Sequence, residues 1–181
     1  MVSHEPQPLP EIAIDLCQKL DAPPRLVAHL HVVHDAAFQL TDLLKKSFPQ
    51  LTFDQCEVLI GAAIHDLGKC QHQNELYAPG NRHEIDGAAL LESVGVSAEL
   101  ARFCRTHGAW ASEELPLEDL LVGLADTIWK GQRVDDLERL IVAKIALVSE
   151  SQEWYVFGIL DSVLENVAAN SVARLAWQAK Y

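Results

Sequence analysis

The feature that most constrains this sequence is the stretch IGAAIHDLGK, from Ile60 to Lys69, in which an adjacent His-Asp pair ends an otherwise apolar run. Burying an imidazole and a carboxylate is costly unless both are paired, and a metal ion pairs with both. The stretch therefore predicts that His65 and Asp66 form half of a metal site. The other half must come from elsewhere in the chain.

The composition favours helices. Of the 181 residues 49% are apolar and only 7% are aromatic, and Ala and Leu support helices better than a strand-rich sandwich. A chain of this length suits one domain with a substantial core. We expect an all-α single domain over residues 1–181 that begins with a Pro-punctuated arm at residues 1–10.

The net charge of −12 argues against binding to nucleic-acid polymers or anionic membranes, which need clustered Lys and Arg. A small phosphorylated substrate remains compatible, because a metal and a few basic groups can offset the acidic background locally. The sequence has no apolar run of ~18–20 residues and no signal-peptide pattern, so we expect a cytoplasmic protein without membrane contact. The four cysteines show no CxxC spacing, which favours buried free thiols over a disulfide framework.

Apolar periodicity and the positions of Pro and Gly predict the helices. The string Thr52 to Gln55 fits a capping box, Ser97 fits an N-cap, and Gly68 is placed to end the helix before it. The predicted helices span about 10–21, 24–47, 52–67, 83–94, 97–107, 116–130, 134–149 and 152–180.

Three histidines lie on the helix predicted at 24–47. At ~100° per residue, His29 lies near the edge of the apolar stripe and points best toward the interior, whereas His31 and His34 are predicted on a solvated face. Taken alone, His29 fits a core histidine bonded to a backbone carbonyl better than it fits a metal ligand. Its weight as a ligand comes from its combination with the other candidates.

Asp126 repeats the pattern of a carboxylate within an apolar helical run, LVGLADT. An unpaired Asp is expensive there, so Asp126 is either a fourth ligand or a partner of Lys130. With His29, His65 and Asp66 it gives two imidazoles and two carboxylates. That donor set suits Mn, Fe, Co, Ni or Zn.

The order of these four residues resembles the HD-domain superfamily of metal-dependent phosphohydrolases. The matching strings are HLHVVHDAAFQL, GAAIHDLGK, HEIDGAALLESVG, RTHG and LADTIWKG. The resemblance implies an HD-domain-like helical bundle at residues 24–132 and does not account for the N-terminal arm or the last two helices. We expect residues 133–181 to form a C-terminal helical extension packed on the bundle. The resemblance also implies that His29, His65, Asp66 and Asp126 bind one divalent ion. Mg is a further candidate for this ion, besides Mn, Fe, Co, Ni and Zn.

His83 and His107 match two further histidines that hold a second metal in some relatives. In other relatives such groups line the pocket for the substrate phosphate. Both roles stay open here, so one or two metal ions are expected.

The resemblance implies hydrolysis of a phosphoester or phosphoanhydride through a metal-activated water. The substrate would be a nucleotide or another small phosphorylated metabolite. Asp66 is expected to orient the water as well as bind metal. Lys69, next to the His-Asp turn, is the first candidate for contacting the substrate phosphate, and Arg82 and Lys130 are further candidates.

Two other functions are compatible with the sequence. A di-iron HD-domain oxygenase would need both His83 and His107 as ligands. A non-catalytic metal-binding sensor or scaffold that kept the fold is the other alternative, and the intact ligand set weighs against it. The C-terminal aromatic residues are expected to pack on the bundle, with a homodimer contact as the alternative. These residues are Trp154, Tyr155, Phe157, Trp177 and Tyr181.

Overall fold

The computed structural model describes residues 5–111 and 114–181, and these ranges contain helices and no strand. The predicted all-α class is confirmed. The helices are α1 (Glu11–Lys19), α2 (Pro24–Ser47), α3 (Gln55–Ile64), α4 (Arg82–Ser93), α5 (Ala98–Ala101), α6 (Phe103–Thr106), α7 (Leu117–Ile128), α8 (Asp135–Val148), α9 (Glu153–Ala168) and α10 (Ser171–Gln178), and two 3-10 turns, Leu67–Cys70 and Gln73–Leu76, lie between α3 and α4.

Three mutually packed helices, α2, α3 and α7, form the centre of the bundle. Their apolar faces join those of α8 and α9 in one large core cluster. A smaller cluster lies between α1, the start of α2, the end of α3 and α4. The centre therefore brings together the three segments on which the sequence placed metal ligands.

The chain passes from α3 to α4 through an unusually close backbone contact. A Cβ atom on Gly68 would lie 2.1 Å from the carbonyl oxygen of His83 and 2.7 Å from the Cα of Gly87. The prediction that Gly68 ends the preceding helix is wrong, because α3 already ends at Ile64 and the chain tightens into the first 3-10 turn. Glycine is required here by packing.

Two predicted helix ends differ in detail. The N-cap of α3 is Asp54, whose carboxylate accepts a bond from the backbone N–H of Glu57, so the capping box at Thr52 is wrong. The Ser97 cap is confirmed, since its hydroxyl accepts from the backbone N–H of Leu100 at 3.4 Å. Positive φ angles at Gly95 and Gly131 follow α4 and α7, as a left-handed helix stop requires.

Two predicted helices are each divided. The segment 97–107 forms α5 and α6 with an interruption at Arg102, and the segment 152–180 forms α9 and α10 with an interruption at residues 169–170. The second interruption redirects the chain so that Arg174 reaches α2. Its guanidinium, fully buried, donates to Asp35 and Gln39 at 2.8 Å each and to the carbonyl of Val167.

The prediction of a solvated face for His31 and His34 is wrong. His34 is buried and His31 half-buried. The N-terminal arm and α10 cover this face, since the carbonyl of Gln7 lies 3.3 Å from His31 Nδ1 and the Trp177 ring lies 5.6 Å from the His31 ring. Both covering segments are distant in sequence, so periodicity within α2 could not reveal them.

The C-terminal helices contact the rest of the bundle through α9 against α2 and α8 against α7. The expectation that the C-terminal aromatic residues pack on the bundle is confirmed for Trp177, which packs at the edge of the core. It is wrong for the four that are exposed: Trp154, Tyr155, Phe157 and Tyr181. A homodimer contact through the exposed aromatics stays a prediction, as does the division of residues 1–181 into arm, core and extension.

The described cysteines are all free. Cys17 and Cys104 are buried as expected, but Cys70 is half-buried and Cys56 is exposed, so the prediction of burial is wrong for Cys56. No helix in the described ranges has the length and apolar character needed to cross a membrane.

Candidate metal centre

The first ligand group joins α2, the end of α3 and α7. His29 Nε2 lies 3.0 Å from Asp66 Oδ2 and 3.3 Å from Asp126 Oδ1. His65 Nε2 lies 3.6 Å and 3.5 Å from the same two oxygens. The structure thus brings together the four residues that the sequence singled out, and Asp126 contacts these histidines rather than Lys130.

The nitrogen and oxygen atoms of this group lie close to one another, and yet several of them lack a hydrogen-bond partner. Six buried side-chain atoms of the described residues have no hydrogen bond of acceptable geometry, and four of the six lie in this group: His29 Nε2, His65 Nε2, Asp66 Oδ1 and Asp126 Oδ1. Buried polar atoms in folded proteins are nearly always paired, so each exception needs an explanation. A divalent cation satisfies this donor set, and the residues therefore fit a metal ion.

In two of the histidine rings the other ring nitrogen, Nδ1, makes a hydrogen bond that leaves Nε2 free to bind a metal ion. The Nδ1 of His65 lies 3.0 Å from the carbonyl of Ala62, and the Nδ1 of His107 lies 3.0 Å from the carbonyl of Phe103. A carbonyl can only accept, so Nδ1 carries the proton in both rings. Their Nε2 lone pairs then face the centre, which is the usual arrangement of metal-binding histidines.

A second ligand group shares Asp66 with the first. His83 Nε2 lies 3.1 Å from Asp66 Oδ1, and His107 Nε2 lies 3.7 Å from the same oxygen. The other oxygen of Asp66 faces His29. Asp66 therefore lies between the first group, in which His29, His65 and Asp66 could hold a metal ion with Asp126 beside them, and a second group, Asp66-His83-His107, which could hold another.

The charges of the first group are strongly coupled. Burial acts to lower the pKa of His29, but its contacts with Asp126 and Asp66 outweigh burial and raise that pKa to about 9. Burial acts to raise the pKa of both carboxyls, but the neighbouring histidines hold the pKa of Asp66 and of Asp126 well below the usual range. Both carboxylates thus stay ionised and favour a cation between them.

The second group has a different balance. Burial, reinforced by His65, lowers the pKa of His107 to about 4. Burial acts to lower the pKa of His83 as well, but Asp66 and Glu75 raise it. His107 is therefore a neutral imidazole at physiological pH, which is the form that binds metals.

The candidate substrate-binding cations lie at different distances from the centre. Lys69 Nζ is 2.5 Å from Asp66 Oδ2 and is partly exposed. Lys130 is exposed and lies 5.9 Å from the ring of Trp129, whose ring is in turn 5.5 Å from that of His29. Arg82 is exposed, and the structure places only its backbone N–H in a contact, with Glu75.

Two residues near the centre were missed by sequence reasoning. Glu75 is buried and contacts His83, although it lies between the helices predicted at 52–67 and 83–94. Trp129 is buried beside His29, and its indole N–H has no hydrogen-bond partner in the described residues. Trp129 lies three residues after Asp126 on the same helical face, a signal that could have indicated it, whereas no sequence signal marks Glu75.

Comparison with curated proteins and with solved structures gave no match. The family profile of the HD domain matches residues 11–128, which is more than half of the chain. The match spans α1 to α7 and includes both buried ligand groups. The chain therefore belongs to the HD-domain family.

Proposed function

We propose that this protein is a divalent-metal-dependent phosphohydrolase that cleaves a phosphoester or phosphoanhydride bond in a nucleotide or another small phosphorylated metabolite. The observation that supports this most directly is the buried set of unpaired His and Asp atoms within an HD domain. We further propose a cytoplasmic location, which the free cysteines favour, and no nucleic-acid polymer as partner, on the basis of the net charge of −12.

Each residue of the centre would have a distinct role in hydrolysis. A divalent ion, when bound, supplies Lewis acidity and lowers the pKa of water from about 15.7 toward 7. His29, His65 and Asp126 would hold it. Asp66 contributes one oxygen to each ligand group and would also orient the attacking water.

Lys69 supplies a positive charge close to the reacting phosphoryl group. Its ammonium contacts Asp66 and is partly exposed, so Lys69 could turn toward a substrate oxygen where Asp66 holds a divalent ion. Charge stabilisation of this kind is the main task of protein groups in phosphoryl transfer. We assign Lys130 and Arg82 to more distant phosphate groups of the substrate.

The test is a screen of protein loaded with Mn²⁺, Co²⁺, Ni²⁺, Zn²⁺ or Mg²⁺ against phosphoesters and nucleotides, with phosphate release as the readout. Asp66→Asn should abolish turnover and metal retention while helicity is preserved. Asp42→Asn is the control, because Asp42 is half-buried on α2, away from the metal centre, and pairs with Lys46. Unchanged turnover in Asp66→Asn would remove the basis of the assignment.

A di-iron oxygenase is the second candidate, because Asp66 lies between two ligand groups as a dinuclear centre requires. Phosphate release under anaerobic conditions argues for the hydrolase, whereas turnover that depends on oxygen argues for the oxygenase. Cleavage of no substrate by any metal-loaded form would favour a metal-binding sensor or scaffold.

A further inference from the structure

We infer that Glu75 is a positioning residue that fixes the ring of His83 for a second metal ion held by Asp66, His83 and His107. The inference rests on the proposed function in that the second ion belongs to the same centre. Glu75 itself lies outside both ligand groups. Its role would be to hold His83 in the orientation and tautomer that bind the second metal ion.

The carboxylate of Glu75 is buried, with 8% of the residue exposed. Its Oε2 lies 2.5 Å from His83 Nδ1, and backbone N–H groups of His83 and Arg82 donate to its two oxygens at 3.2 Å each. An ionised carboxylate only accepts, so Nδ1 of His83 must carry a proton. The Nε2 lone pair is then left for the metal, on the side where Asp66 Oδ1 lies 3.1 Å away.

The acceptor of the Nδ1 proton distinguishes His83 from the other two rings, His65 and His107. His65 and His107 donate to neutral backbone carbonyls, whereas His83 donates to a charged group. A charge-assisted bond is stronger, and a carboxylate behind a metal-binding histidine raises the basicity of the ligand. This advantage falls on the second group alone.

The loop before α4 is shaped around this carboxylate. A Cβ atom on Gly80 would lie 2.5 Å from Cδ and Oε1 of Glu75, so a side chain there would collide with it. The bonds from Arg82 and His83 also satisfy first-turn N–H groups of α4, whose N-cap residue Asn81 makes no side-chain cap. Glu75 thus caps α4 and orients His83 at once.

A cap alone and a metal-positioning role predict different results for Glu75→Gln. Glutamine keeps an oxygen that can accept from the backbone N–H groups but removes the charge behind His83. We expect the affinity for the second of two Mn²⁺ ions to fall about 10- to 100-fold. Affinity for the first ion should stay within about twofold, because its ligands do not contact Glu75. Calorimetric titration and the electron paramagnetic resonance signal of coupled Mn²⁺ pairs measure both steps.

The matched control is Asp86→Asn. Asp86 forms the same type of pair, with His72 Nε2 at 2.7 Å, and lies on the same helix as His83, yet neither His72 nor Asp86 belongs to a ligand group. This variant should bind two Mn²⁺ ions as the unmodified protein does. A loss of the second ion in the control as well would show a general charge effect and overturn the inference.

The inference also has a test that does not depend on a variant. Long-range ¹H–¹⁵N correlation spectra of the metal-free protein report which ring nitrogen of His83 carries a proton. Protonation at Nδ1 is required, and an Nδ1 without a proton overturns the inference even if Glu75→Gln fails to fold. Two other results also overturn it: binding of only one Mn²⁺ by the unmodified protein, or an unchanged second affinity in Glu75→Gln. Absence of hydrolysis with an intact second step would refute the proposed function and leave the role of Glu75 standing.

Discussion

Replacement of Gly68 by Ala should both destabilise the protein and weaken its second ligand group. The added Cβ would lie 2.1 Å from the carbonyl oxygen of His83, 2.7 Å from Cα of Gly87 and 2.9 Å from the carbonyl carbon of His83. All three obstacles are backbone atoms, so no rotation of a side chain relieves the collision. To restore ordinary contact, α4 would have to move by roughly 1 Å in a close-packed interior.

Overpacking of this kind costs about 1–3 kcal/mol, and the backbone obstacles place Gly68→Ala near the upper value. For a chain of this size each 1 kcal/mol shifts Tm by roughly 2–4 °C, so Tm should fall by about 6–12 °C. The displacement also carries His83 away from Asp66 Oδ1, now 3.1 Å from Nε2. The affinity for a second Mn²⁺ ion should therefore fall together with stability.

Urea and thermal unfolding of the metal-free protein, followed by circular dichroism, measure the change. Gly158→Ala is the control, because Gly158 lies inside α9 and an added Cβ there would have no atom within 4 Å. Replacing this helical Gly should stabilise the protein by about 0.5–1 kcal/mol. If Gly68→Ala were as stable as the unmodified protein, the close contact between the 3-10 turn and α4 would be refuted.

Four further predictions concern the metal centre and the buried Arg174–Asp35 pair. Because the pKa of His29 is raised to about 9, binding of Mn²⁺ at pH 7 should displace its proton, and affinity should rise by up to about tenfold per pH unit until pH ~9; a flat profile in calorimetric titrations contradicts this. Without metal, the same shift makes His29 stabilise the fold fully below its unfolded pKa of 6.5 and lose that contribution as the pH rises through 9, which urea midpoints measured across this range would show. Arg174→Met should lower the free energy of unfolding by about 3–5 kcal/mol, since it breaks a buried pair with Asp35, and a change below 1 kcal/mol in urea titrations would argue against it. Trp129→Phe should remove most of the quenching of Trp fluorescence by Ni²⁺, because this ring lies 5.5 Å from His29, whereas Trp154→Phe, an exposed position, should not; equal quenching in both variants would place the metal elsewhere.

The first ligand group could be predicted largely from the sequence. His65, Asp66 and Asp126 each break an apolar helical run, and the energetic cost of burying such groups is a local signal. The periodicity of α2 favoured His29 over its neighbours only in combination with the other candidate ligands and the resemblance to the HD domain. The boundaries of α2, Pro24 and Ser47, could also be predicted from the flanking prolines, because Pro restricts the backbone of its own segment.

The tertiary structure decided what depends on contacts between distant segments. Four features depend on contacts between segments that are distant in sequence, which no local pattern predicts. They are the burial of His34, the position of Asp66 between two ligand groups, the contact of Glu75 with His83 and the close backbone contact at Gly68. Periodicity reports which face of a helix is apolar, but not which segment covers that face. The sequence by itself thus determined most of the helices and the chemical character of the first ligand group. The packing of α4 against the 3-10 turn Leu67–Cys70, and of α6 against α3 and α4, decided that a second group faces the same carboxylate.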